Sequence, residues 1–360
     1  EQSFWIEDYA LFMALKNENN GESWQNWDDN IRFRTDSAIE DAQNRLQDEI
    51  RFWKGLQYLF FHQWNLLKTY ANSKGVQIIG DVPIYVAFDS VDVWSNPQEF
   101  QLDRTTLLPI EIAGCPPDGF TEDGQLWGNP LFNWDYMIET GFSWWLQRIK
   151  IQCSMFDILR IDHFRGFDEY YSIPYGATNA KNGLWKKGPG VKLFDAVKTT
   201  LGDLNIIAED LGFLTDSVKD LLNATGYPGM KVLLFGFDTR DSGSYLPHSY
   251  TQNSVAYIGT HDNETVMNWI KTAPQEDVQK AFSYLRLNED EEYNWGFMRN
   301  LWMSVSNLTI VQMQDILGLY DRMNTPSTTG TNWKWRVTDN LLTDELSARL
   351  KEEMLMYERI

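Results

Sequence analysis

Cysteine and histidine are both scarce here, with two and four residues respectively in a chain of 360. Cys115 and Cys153 stand far apart, without the spacing of a metal knuckle or a redox pair, so the expectation is two reduced thiols in a cytoplasmic protein. His62, His163, His248 and His261 form no HExxH pair, which leaves a zinc hydrolase without support. No GxSxG elbow is present, no glycine-rich phosphate loop follows an apolar run, and no calcium loop of the EF-hand type is visible. Long hydrophobic stretches are also missing, so nothing reaches the roughly 20 apolar residues that span a bilayer. Glu1 to Trp5 has no basic segment leading into an apolar one, so no secretory signal is expected.

Positive charge is the next shortage. Lys and Arg number 31 against 51 Asp and Glu, a formal charge of -20, and that field repels phosphate backbones and anionic membranes. A neutral partner is compatible with it. Aromatic residues are abundant instead: 16 Trp is heavy usage, and indole faces suit both core packing and the apolar faces of sugar rings.

Phe4, Trp5, Tyr9, Phe12, Met13 and Leu15 recur at a helical period and predict a first helix. Ser37 and Glu40 match a capping box for a second, long helix that carries Ile39, Leu46, Ile50, Trp53, Leu59 and Leu67 and ends at Gly75. Six apolar runs then read as buried strands, at 76–82, 157–161, 205–208, 230–237, 254–258 and 309–313. Several are followed by turn residues and helix-like segments. That alternation predicts an α/β protein with a (β/α)8 TIM-type barrel, or an open doubly wound sheet, and the missing phosphate loop favours the barrel. A full barrel needs eight strands, so its N-terminal strands are expected to be absent from this chain. We expect residues 1–360 to form a single catalytic barrel domain, with a mainly helical subdomain at 1–75 and a loop excursion at 88–145.

Every one of these runs ends in an acid: Asp81, Asp162, Glu209, Asp238, Asp262 and Asp315. A single such Asp is more simply a helix cap. Six together, converging on the carboxyl face of a barrel, indicate chemistry. Cleaving a glycosidic bond takes one carboxylate to trap the anomeric carbon and one carboxyl to protonate the departing oxygen, and Asp162 and Glu209 stand on consecutive strands. Arg160, two residues before Asp162 on the same side of its strand, can hold it ionised or serve as an ion-pair partner within the barrel. Glu209 must stay protonated near neutral pH, which burial among like charges would promote.

The runs GDVPIYVAFDSVDVWSNPQEFQLD, GCPPDGF, GQLWGNPLFNWD, LRIDHFRGF, IIAEDLG, GMKVLLFGFD, YIGTHDNETV and RMNTPSTTGTNWKWR, in this order, resemble the hallmark segments of the amylomaltases, the 4-alpha-glucanotransferases of glycoside hydrolase family 77. The resemblance runs from about Phe4 to the C-terminus. It implies a retaining transfer of alpha-1,4-glucan segments between malto-oligosaccharides, with Asp162 as nucleophile, Glu209 as acid/base and Asp262 gripping hydroxyls of the transferred sugar. It also implies substrate-contacting roles for Arg160, His163, His261 and Asn332, with Asp81 and Asp238 as further sugar contacts or organisers of the barrel mouth. Asp118, Phe120, Gln125 and Trp127 would lie on a mobile loop over the bound sugars. No cofactor and no metal are expected. An amylase-like hydrolase, or a glucan-binding protein without catalysis, remains open at this stage.

Overall fold

The computed structural model describes residues 3–117, 122–212, 214–240, 245–326, 328 and 330–360. It divides into two compact units, Glu1–Gly226 and Tyr227–Ile360, each described here by itself.

The first unit opens with the expected helix, Ser3–Glu18, whose buried side is Ala10, Leu11, Phe12, Ala14 and Leu15, while Phe4 at its start stays exposed. The next helical segment departs from expectation. It is two helices, Asp36–Arg45 and Gln47–Ser73, interrupted at Leu46. The capping box does not form, because Ser37 lies inside the first of them and Thr35 takes the N-cap position without a side-chain bond. An acid in the first turn, Asp36, offsets the exposed N–H dipoles in its place. The far end follows the sequence reading: Gly75 sits at φ +75°, its N–H donates to Asn72 O at 3.0 Å, and Val76 N–H donates to Ala71 O at 3.0 Å. That pair of bonds closes the last turn in a Schellman motif.

Seven strands follow in this unit: β1 Ile79–Val82, β2 Glu111–Cys115, β3 Gln125–Pro130, β4 Ile158–Ile161, β5 Glu169–Pro174, β6 Leu184–Lys187 and β7 Ile206–Ala208. β1, β4 and β7 form a parallel sheet in that order, with Asp81 opposite Arg160 and Ile161 opposite Ala208. Leu159, Ile161, Ile206, Ile207 and Ala208 are all buried, as strands covered on both faces require. β1 must carry glycine at position 80, since a Cβ there would lie 2.0 Å from the Phe156 ring. The other four strands make an antiparallel sheet, order β3-β2-β5-β6, packed on Ile112, Tyr171, Ile173 and Ala180. The expected loop excursion at 88–145 therefore contains two strands and the helices Val91–Ser95 and Trp134–Glu139.

The second unit holds a parallel sheet of β8 Gly229–Val232, β9 Ser254–Tyr257 and β10 Leu308–Ile310, in the order β10-β9-β8. Two predicted strands are shorter than the apolar runs that signalled them. Leu233–Phe237 coils into a 3-10 turn and Met313–Ile316 is helical, because a short buried run has the same composition in either conformation. The core gathers around Phe237, whose ring packs against Trp269 and Phe297 at 5.9 and 6.0 Å. Among the described residues no helix is long and apolar enough to cross a membrane.

Candidate active site

Because β1, β4 and β7 are parallel, their carboxyl ends fall together, and the ladder continues one step beyond them. Asp162 N–H donates to Val82 O at 3.0 Å, Glu209 N–H donates to Ile161 O at 3.0 Å, and Phe164 N–H donates to Glu209 O at 3.0 Å. These bonds place Asp162 and Glu209 on neighbouring chains just past the last paired residues, Ile161 and Ala208. Arg160 is the hinge of the charges: one Nη1 donates to both Asp81 carboxylate oxygens at 2.6 Å and to Asp162 Oδ1 at 3.0 Å. Burial works against the guanidinium charge, but attraction from Asp81, Asp162 and Glu209 outweighs it and raises Arg160 above its ordinary range. One contact set thus joins Arg160 to Asp162 and, as a structural ion pair, to Asp81.

Glu209 is buried, and burial followed by the nearby charge of Asp162 pushes its carboxyl up to about 7, while Arg160 and two backbone donors pull the other way. Those donors fix its direction: His163 N–H to Oε2 at 2.7 Å and Leu211 N–H to Oε1 at 2.8 Å. Asp162 is open by contrast, with 42% of its side chain exposed. The pair thus combines an accessible carboxylate held by a cation with a desolvated acid that keeps its proton near neutrality, the division of labour that glycosyl transfer requires. His163 adopts φ +51° after the strand, and burial and the Arg165 charge push its imidazole down to about 4, so it is neutral there. Trp127 meets the His163 ring edge-on at 4.9 Å, and its indole N–H donates to Gln125 Oε1 at 3.0 Å. Gln125 and Trp127, expected on a loop, lie on strand β3. Gln125 is paired to Cys115 of β2, and Trp127 follows Leu126, which pairs with Gly114, just before the register shifts. Asp118 and Phe120 lie outside the described residues.

In the second unit the turn after β9 carries His261 and Asp262. Asn324 Nδ2 donates to Asp262 Oδ1 at 2.5 Å, Arg322 Nη2 donates to the Asp262 carbonyl at 2.6 Å, and His261 Nε2 lies 3.4 Å from Asp262 Oδ2. Arg322 also pairs with Glu264. Thr260 and Asn263 tie the turn internally, since Thr260 N–H donates to Asn263 Oδ1 at 2.8 Å. Asp315, buried completely, accepts from Val266 N–H at 2.7 Å and so anchors the helix that follows the turn, while burial drives its own carboxyl up to about 7. Asn332 does not bond to Asp262. It accepts from Thr325 N–H at 3.0 Å and donates to Thr328 O at 3.0 Å, organising its own loop. Asp238 is engaged by Arg240, at 2.9 and 2.7 Å, and that hydrogen-bonded cation pulls its carboxyl down to about 2. Sequence reasoning assigned no role to Arg322, Asn324 or Trp333, although all three lie in the run RMNTPSTTGTNWKWR. Among the described residues no three His, Cys, Asp or Glu side chains are grouped to hold a metal ion.

Comparison with known proteins accords with this geometry. The sequence pattern of glycoside hydrolase family 77, described as 4-alpha-glucanotransferase, matches residues 1–343. A 4-alpha-glucanotransferase of Clostridium butyricum is 49% identical over 362 residues, taking in 100% of this chain and 74% of that protein. One from Thermus thermophilus is 42% identical over 100% of this chain and 73% of its own length. Among solved structures, the amylomaltase of Streptococcus agalactiae in complex with acarbose superposes with a TM-score of 0.95 at 44% identity, covering 99% of this chain and 73% of that one. The fold is thus of the TIM-barrel type, and the chain spans about three quarters of the length of these relatives. The order of its motifs, the parallel strands that end in Asp162 and Glu209, and these matches agree: the chain belongs to the 4-alpha-glucanotransferases of glycoside hydrolase family 77.

Proposed function

We propose that this chain transfers segments of alpha-1,4-glucan from one malto-oligosaccharide to another by two displacements at the anomeric carbon. In the first, an Asp162 carboxylate oxygen attacks C1 while Glu209 gives its proton to the departing glycosidic oxygen. The C1–O bond breaks and a glucosyl ester on Asp162 forms. In the second, Glu209, now ionised, takes the proton from the 4-hydroxyl of an acceptor sugar. That oxygen bonds to C1, the ester opens, and both carboxyl groups return to their starting states. Asp262 is assigned the hydroxyls of the transferred glucosyl unit, where a contact that strengthens as the ring flattens lowers the barrier rather than merely improving binding. Trp127 and Gln125 are assigned contacts with sugars beside His163.

One observation carries the reading above the others. Glu209 is raised to about 7 beside an accessible carboxylate that Arg160 grips, so a proton donor and a cation-held nucleophile stand at the ends of neighbouring strands. With only two cysteines, far apart in the chain, the setting assigned is cytoplasmic. Maltotriose tests the function directly. Glucose and oligosaccharides longer than the substrate should accumulate without a net gain in reducing ends, and Asp162→Asn should abolish both. A net gain in reducing ends with no longer products would replace transfer by hydrolysis.

A further inference from the structure

Trp333 is a large apolar side chain that the fold does not bury: 52% of its surface is exposed. It also holds a backbone conformation that bulky L-residues avoid, φ +63°. Two hydrogen bonds keep it there, its own N–H to Met323 O at 2.8 Å and Arg336 Nη1 to its carbonyl at 2.9 Å. Strain of this kind persists where surrounding structure imposes it, and it clusters at working surfaces. The position imposed is specific. The indole lies against the His261 ring, centroids 5.0 Å apart and tilted by 47°, and His261 in turn lies 3.4 Å from Asp262. Asn324 completes the set, donating from its side chain to Asp262 and from its backbone to the His261 carbonyl at 3.1 Å.

A half-exposed indole and a carboxylate with 40% of its side chain exposed therefore both adjoin one imidazole. A pyranose needs both surfaces, since its ring faces present C–H groups to an indole and its rim presents hydroxyls to a carboxylate. We propose that Trp333 is a stacking platform for a glucosyl ring of the glucan whose hydroxyls Asp262 holds. The inference rests on the proposed function for the identity of the sugar, and on the second unit alone for its geometry.

The test measures maltotetraose binding by calorimetry in the Asp162→Asn background, where turnover does not interfere. Trp333→Ala should weaken binding by about ten-fold, the scale of one lost aromatic contact, and Trp333→Phe should keep most of the affinity. Trp333→Gly, which relieves the backbone strain, should lose affinity like the alanine variant while unfolding at a higher temperature than it. With Asp162 intact, the alanine variant should raise KM for maltotriose and leave kcat within about two-fold. Unchanged binding in Trp333→Ala, or equal loss in Trp333→Phe, would overturn the platform even in an enzyme that transfers normally. A ring-dependent affinity in a protein that transfers nothing would leave the platform standing and remove the proposed reaction instead.

Discussion

Glu209 links the site to pH in two ways, and both have a sign. In the proposed reaction it gives a proton and so works only while protonated, and the rate of glycosyl-enzyme formation should fall as pH rises through about 7. Glu209→Gln, which cannot give a proton, should lose that limb together with most of the activity, and pre-steady-state release of the first product measures both. Stability follows the same group. Its folded value lies above the unfolded value near 4.5, so the native state holds a proton that the unfolded chain has lost, and the stabilising protonation fades as pH climbs from about 4.5 to about 7. Asp315 behaves alike, with a carboxyl at about 7 and an Oδ2 that has no hydrogen-bond partner among the described residues. Asp315→Asn keeps the acceptor for Val266 N–H and cannot ionise. It should therefore gain roughly 1–3 kcal/mol over the parent above pH 8 and nothing near pH 4, read by denaturant unfolding at the two pH values. Arg160 makes a third prediction at this scale. Lysine keeps the charge but its side chain is one atom shorter and its ammonium more strongly hydrated, so it does not reach the place from which Arg160 Nη1 grips both Asp81 and Asp162, and Arg160→Lys should lower kcat by about ten-fold or more with an unfolding midpoint near that of the parent. The placement of Asp162, Glu209 and Arg160 at one end of the sheet was legible in sequence because alternation along β4 and the order of strands dictate which side chains share an end. Asn324 and Arg322 were not, since they reach Asp262 from about 60 residues away through a loop with no periodicity.

Elements show the same division between what is local and what is not. All six predicted strands are present, and the end of the long helix was readable from Gly75, because positive φ at a helix terminus costs glycine least. The four antiparallel strands went unread: their segments of four to six residues are too short to show clear alternation, and pairing across distant chain segments is what makes them strands. The failed capping box is instructive in another way. Ser37 and Glu40 have the right spacing, yet Asp36 begins the helix one residue earlier and leaves Ser37 inside it. Two glycine substitutions separate strain from packing. Gly75→Ala meets nothing within 4 Å and should cost only about 1 kcal/mol for its φ, with transfer unaffected. Gly80→Ala puts a methyl group into the Phe156 ring inside β1, next to the Asp81 that Arg160 grips. It should cost about 1–3 kcal/mol and also reduce kcat, and thermal unfolding combined with maltotriose assays distinguishes the two variants.

For the molecule as a whole, a formal charge of -20 is the property that sequence reveals most directly and chemistry uses least. Such a field extends about one Debye length, near 10 Å at 0.1 M salt, and would oppose any polyanion approaching the site. A glucan carries no charge, so the field neither attracts nor repels it, and the attractions that bind it are ring contacts and hydrogen bonds of short range. Inside the site the charges that matter are paired at contact distance, Arg160 with Asp81 and Asp162, and bulk salt screens such pairs weakly. KM for maltotriose should accordingly change by less than about two-fold between 0.05 and 0.5 M NaCl. A phosphorylated malto-oligosaccharide of the same length should bind more weakly than the neutral one at low salt and approach it at high salt, because only the charged ligand senses the field. If the neutral substrate instead showed a steep salt dependence, binding would have to involve a charge that the proposed reaction does not contain, and the assignment of a neutral glucan would fall with it.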